Sequence, residues 1–212
     1  VGDNALSGIT TGTKNTAIGN QAMKSNTTGS ENVALGLRAL ASNTTNVGNT
    51  AIGNNALEAN LGVANTAVGI NSLKSNTTGN VNVAVGAGAL ELNTTGSDNI
   101  GLGLDALHSN TEAGQNTALG SRALYNNNGT GRFIATPNIS WDNGSGNTAI
   151  GANTLFDNTV GSFNTAVGLN SLTKNKTGIN NVAIGVAALN ASVDQGGNTA
   201  VGSYSLSNSL SW

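Results

Sequence analysis

The chain repeats one phrase eleven times in 212 residues: Asn, then Thr or an aliphatic β-branched residue, a small residue, Ile, Val or Leu, Gly, two variable positions, a small residue and Leu, with Met23 standing for that Leu in the first copy. Copies start at Asn15, Asn32, Asn49, Asn65, Asn82, Asn99, Asn116, Asn147, Asn164, Asn181 and Asn198, and the Gly four places on, from Gly19 to Gly202, never fails. A unit of about 17 residues cannot bury a face alone, so the period predicts a stack in which each copy is one turn covered by its neighbours. Eleven or twelve rungs spaced as paired strands are would make a rod core of roughly 55 Å.

Composition supports a stack over a globule. Only 8% of residues are charged and 3% aromatic, with 30 Gly, a balance that without periodicity would read as disorder. The regular return of Ile, Val and Leu instead builds a continuous core that offsets chain entropy. Net charge is −2, and the eight Lys and Arg are scattered, so nucleic acid is not an expected partner. No apolar run approaches the roughly 20 residues of a membrane span. The chain opens Val-Gly-Asp, without an initiator Met, and has no Cys; a fragment or processed product of an extracellular protein is expected. Residues 1–14 read as a truncated copy, with the rod continuing upstream.

Within a copy, the period of two puts Thr16 and Ile18 on one strand face and Ala17 on the other. The large face is expected to turn inward, where its Ile or Val meets the Leu of the second half, such as Leu40 or Leu57. The small face consists of Ala17, Ala34, Ala51, Ala67, Ala84, Gly101, Ala118, Ala149, Ala166, Ala183 and Ala200. Exposure alone would not hold a strand face to Ala, so a closely packed partner is expected there. Gly19 and its equivalents sit where the strand bends. The Asn columns opening each copy and near its twelfth position, such as Asn26 and Asn43, fit stacked amide ladders or plain turns. A one-turn helix over Gln21 to Ser25 would be marginal.

Asn-Thr-Ala-Ile-Gly followed by x-x-Ala-Leu resembles the head repeats of trimeric autotransporter adhesins and, more closely, the Asn-Thr-Ala-Ile-Gly arrays of phage tail-fibre and other surface proteins. The likeness covers Asn15 to Leu206 apart from one insertion. It implies a parallel β-solenoid, or β-roll, left-handed in the adhesins, of about 11–12 turns, assembled as a homotrimer around the Ala column. The turn is longer than in those heads, and no anchor, stalk or chaperone segment is visible. Localisation on a cell surface or virion tail fibre follows from the same resemblance.

The repeat spans 15–127 and 147–212 and is interrupted at 128–146. Eight of its ten steps are 17 residues, the step from Asn49 is 16 and the step from Asn116 is 31. The insertion carries the sole Pro, Pro137, together with Arg132, Phe133, Trp141 and Asp142. Aromatic planes beside Arg, Asp and Asn suit sugar rings, so Tyr125, Arg132, Phe133, Trp141 and Asp142 are candidate ligand contacts. The competing reading is a small satellite core that pins the loop to the rod. Insertions in solenoids often map to the binding face.

Catalytic, cofactor and metal sites are not expected. His108 is the sole His and occupies a variable outer position, and the acidic residues are mostly singletons without the partners that zinc or a Ser-His-Asp site needs. Sequons such as Asn26-Thr27-Thr28 arise from the turn itself. The expected function is therefore non-enzymatic: a trimeric fibre shaft or adhesin head that contacts a surface glycan or receptor through the insertion. The alternative is a filament subunit polymerising end to end. An ice-binding solenoid, suggested by Thr at the second position of seven copies, is demoted because that position alternates between Thr and Val or Ile and is expected to face the core.

Overall fold

Thr, Val or Ile at the second place of each phrase and an aliphatic residue at the fourth are stiff, branched side chains that favour extended backbone. The computed structural model describes residues 2–129 and 144–208, and each phrase in it forms one three-residue strand. These are β1 (Thr16–Ile18), β2 (Val33–Leu35), β3 (Thr50–Ile52), β4 (Thr66–Val68), β5 (Val83–Val85), β6 (Ile100–Leu102), β7 (Thr117–Leu119), β8 (Thr148–Ile150), β9 (Thr165–Val167), β10 (Val182–Ile184) and β11 (Thr199–Val201). They pair in chain order as one parallel sheet, Ala over Ala from Ala17↔Ala34 to Ala183↔Ala200. The described residues contain no helix. The fold is an all-β parallel solenoid whose ten strand-to-strand steps span about 48 Å.

The strand faces are the reverse of the expectation. Ala34, Ala51, Ala67, Ala84, Ala118, Ala149, Ala166 and Ala183 are fully buried within the single chain, and Ala17 packs against the same core. Ile18, Leu35, Ile52 and Leu119 stand outward, 36–47% exposed. The reason is the thinness of the rung. A Cβ placed on Gly101, the small residue of β6, would lie 3.4 Å from Leu90 Cδ1 and 3.3 Å from the Ala106 carbonyl. The close partner of the Ala column is thus the chain's own Leu column, and the expected trimer face at Ala17, Ala34, Ala51, Ala67, Ala84, Gly101, Ala118, Ala149, Ala166, Ala183 and Ala200 lines the interior. The Leu side chains meet Ala rather than Ile. Burying each contributes about 2 kcal/mol.

Beyond the strand the backbone keeps stacking. Arg38 N donates back to Asn20 O at 2.9 Å, and Leu40 N donates forward to Ala56 O at 3.1 Å. The residues between close turns within the rung, as when Ala41 N donates to Arg38 O at 3.2 Å. This alternation requires positive φ at Arg38 (57°) and Leu40 (51°) and at their equivalents. Left-handed backbone costs a Leu roughly 1 kcal/mol, which its burial and its inter-rung hydrogen bond offset.

Two Asn columns form ladders. Asn93 Nδ2 donates to Asn76 Oδ1 at 2.8 Å and to Gly96 O at 3.0 Å, and Asn93 Oδ1 accepts from Asn110 Nδ2 at 2.7 Å. In the other column each backbone N–H donates to the Asn Oδ1 of the rung before, Asn99 to Asn82 at 3.0 Å for example. The ladder fails at the short rung: Asn60 Nδ2 turns to Gly62 O at 3.0 Å, and Asn43 Oδ1 stays buried without a partner.

One core substitution and one pair of glycine substitutions test this packing. Ala84→Leu overpacks an interior position and should cost about 1–3 kcal/mol in urea unfolding, with no dependence on protein concentration; a loss seen only as dissociation would return Ala84 to an interface. Gly86 and Gly197 both have positive φ, but a Cβ on Gly86 would lie 2.3 Å from Gly103 O while one on Gly197 meets nothing within 4 Å. Gly197→Ala should therefore cost about 1 kcal/mol, the φ penalty alone, and Gly86→Ala several times as much.

Candidate functional site

The residue after each buried Leu forms an outer column: Lys24, Ala41, Glu58, Lys74, Glu91, His108, Tyr125, Phe156, Thr173 and Asn190. Stacking sets successive members about 4.8 Å apart, close to the preferred spacing of offset aromatic rings. His108 and Tyr125 stack with centroids 5.0 Å apart and planes 9° apart, and Tyr125 and Phe156 stack at 5.2 Å and 9°. His108 Nε2 lies 3.6 Å from Glu91 Oε2. Three rings in line make a rigid half-buried ridge, and Thr173 ends it because it has no ring to add.

A second column stands three residues earlier in the rung, including Asp105, Arg122, Asn153 and Asn170. Arg122 Nε is 3.9 Å from Asp105 Oδ2, and Asn153 Nδ2 donates to Asn170 Oδ1 at 3.4 Å. Between the two columns lies an open hollow of about 270 Å³ lined by Arg122, Asn153, Phe156, Asn170 and Thr173.

Tyr125 is thus the one sequence-derived ligand candidate with a described environment, the centre of the aromatic ridge. Arg132, Phe133, Trp141 and Asp142 lie outside the described residues. His108, Phe156, Arg122, Asn153 and Asn170 were not singled out as contacts. Their signal was available in the repeat: 108, 125 and 156 are one column once the step of 31 residues is counted as a single rung.

The insertion leaves the stack undisturbed. Thr117 pairs with Thr148 across it, Asn158 Nδ2 donates to Asn127 Oδ1 at 2.8 Å, and its two ends dock on the next rung through Gly129 N to Thr159 O (3.2 Å) and Gly144 N to Val160 O (2.9 Å). Asn116 Nδ2 is buried at its base without a partner among the described residues.

Among the described residues no three His, Cys, Asp or Glu come together as metal ligands. Hydrogen bonding to Glu31 holds Lys14 above its ordinary pKa, and Lys14 holds Glu31 below its own, in a pair bridging two rungs at 2.8 Å on the open surface. Such exposed pairs contribute little to stability.

Deleting residues 130–143 would shorten the long step from 31 by 14 to the regular 17. The melting temperature should then change by less than about 3 °C, since Thr117 and Thr148 already pair across the segment and its removal changes mainly the closure entropy. A collapse of the melting transition would show that the segment carries part of the core.

Comparison with protein-family models, with curated proteins and with solved structures finds no match to this chain.

Proposed function

We propose that the chain is a non-enzymatic structural and attachment element, a fibre shaft or adhesin head on a cell or virion surface that assembles as a homotrimer. The observation that carries it is the outer face of the sheet. Ile18, Leu35, Ile52, Val85, Leu119, Ile150, Ile184 and Val201 form one exposed column, extended beside it by Leu37, Ile70, Leu104, Leu169 and Val186. A stripe running the whole rod covers about 500 Å², at the upper end of what monomers expose.

The occupant that fits such a stripe is another copy of the chain. Its ridges recur once per rung, so a partner that fills every groove must have the same period, and a parallel sister rod has it. Three rods joined this way close the apolar face without ends, as point-group symmetry favours. The trimer therefore stands on the Ile, Val and Leu column in place of the Ala column. The rod's length and the solvent-facing aromatic ridge suit display and contact at a surface.

A second reading has support from one observation. Thr16, Thr50, Thr66, Thr117, Thr148, Thr165 and Thr199 are exposed or half-buried on this outward face, which removes one of the two grounds for demoting an ice-binding surface. Val33, Val83, Ile100 and Val182 interrupt that Thr array, and the uninterrupted feature is the aliphatic column.

Sedimentation equilibrium distinguishes these outcomes. Wild type should be a trimer, and the triple substitution Ile52→Lys, Val85→Lys and Leu119→Lys should give monomers with unchanged far-UV circular dichroism. A wild-type monomer would sink the assembly, and thermal hysteresis in that monomer would move the face to ice. Open-ended polymers that survive the triple substitution would favour end-to-end filaments.

A further inference from the structure

The groove between the two outer columns is closed in the lower rungs by contacts that cross it. Lys24 Nζ donates to Gln21 Oε1 at 3.3 Å, and Arg38 pairs with Glu58. Around Phe156 the side chains of the polar wall partner along their own column instead, Arg122 leaning to Asp105 and Asn153 donating to Asn170, and the one bond from the facing column, Thr173 Oγ1 to Asn170 O at 2.7 Å, ends on the main chain. The groove is left open there. Its aromatic wall is the last ring of a stack, fixed from one side by Tyr125. Its opposite wall carries two carboxamides and a guanidinium that is about half exposed.

We propose that this hollow is a subsite for a pyranose ring bearing a carboxylate or sulfate. The apolar C–H surface of the sugar lies against Phe156, the Asn153 and Asn170 amides meet its hydroxyls, and Arg122 meets the anionic group. Three features select this class. A hollow of about 270 Å³ is at the small end of ligand pockets, the size of a single ring. It is open to solvent, so a residue within a longer glycan fits without threading. Its polar groups combine donors and acceptors with one cation, where a purely apolar ligand would strand them.

The proposal deepens the attachment function and rests on it, naming the chemistry that is contacted. A site of this size binds weakly, and three copies on a trimer would act through avidity.

The test uses saturation-transfer and chemical-shift NMR on the full chain, with tetragalacturonate as the acidic probe and cellotetraose as the neutral one. Tetragalacturonate should receive saturation and shift the Phe156 ring resonances. Phe156→Leu should weaken binding about tenfold or more, and Arg122→Gln should abolish the preference over cellotetraose. Asn170→Ala, on the opposite wall, provides a weakened variant even if Phe156→Leu disturbs the rung. No transfer to tetragalacturonate up to about 10 mM, shifts that bypass Phe156, or equal binding of both probes overturns the proposal. A trimer that ignores both sugars overturns the subsite and leaves the assembly standing; a monomer that binds tetragalacturonate supports the subsite and removes the assembly.

Discussion

Every position in this protein sits directly above and below its own counterpart, and that self-stacking governs which residues each position accepts. The Gly19 column is the strictest case. Each member has a φ between 122° and 141°, and a Cβ on most of them would fall within 2.7 Å of the next rung's carbonyl group. Conformation and contact both exclude any other residue. The Asn columns satisfy the same demand differently: a carboxamide carries a donor and an acceptor, so identical copies bond head to tail without end. Buried Asn is costly only when that chain breaks, as it does at Asn43 and at Asn175, whose Oδ1 is orphaned where Ser192 replaces the next Asn.

The stack and the strand positions were legible because they follow from spacing, and the parallel pairing because the repeat resembles those of adhesin heads and tail fibres. The direction of the strand faces was not. A period of two separates Ile18 from Ala17 without saying which is inside, and the usual preference for large residues in a core pointed the wrong way. What decides is the rung's internal width. The Leu column already fills it, as the 3.4 Å approach of Leu90 to the Gly101 position shows, so only Ala or Gly fits opposite. The positive φ at Leu40, Leu57 and Leu73 was equally illegible, because Leu has no intrinsic preference for that region and accepts it only for the inter-rung hydrogen bond.

The candidate site was half legible for a related reason. Tyr125 drew attention as an aromatic beside the insertion, yet its neighbours are 17 and 31 residues away in sequence. Only the stack turns those separations into ring contacts. Apart from Ala41, which is buried, the column otherwise holds polar or charged residues that solvent satisfies. Where three successive members are rings, the surface gains a rigid apolar ridge that the core does not use.

A solenoid this thin cannot hide its branched aliphatic residues. The strand needs stiff side chains to stay extended, the interior admits only Ala on one side of it, and the remaining Ile, Val and Leu are left facing solvent. Their exposure follows from the fold itself and grows with every rung added, at about 25 cal/mol for each square ångström left uncovered. A short stack tolerates that burden; a long one gains by pairing with a copy that carries the same columns at the same spacing. Lengthening the rod therefore lengthens the uncovered stripe with it, and any partner that covers the stripe must match the period of the repeat.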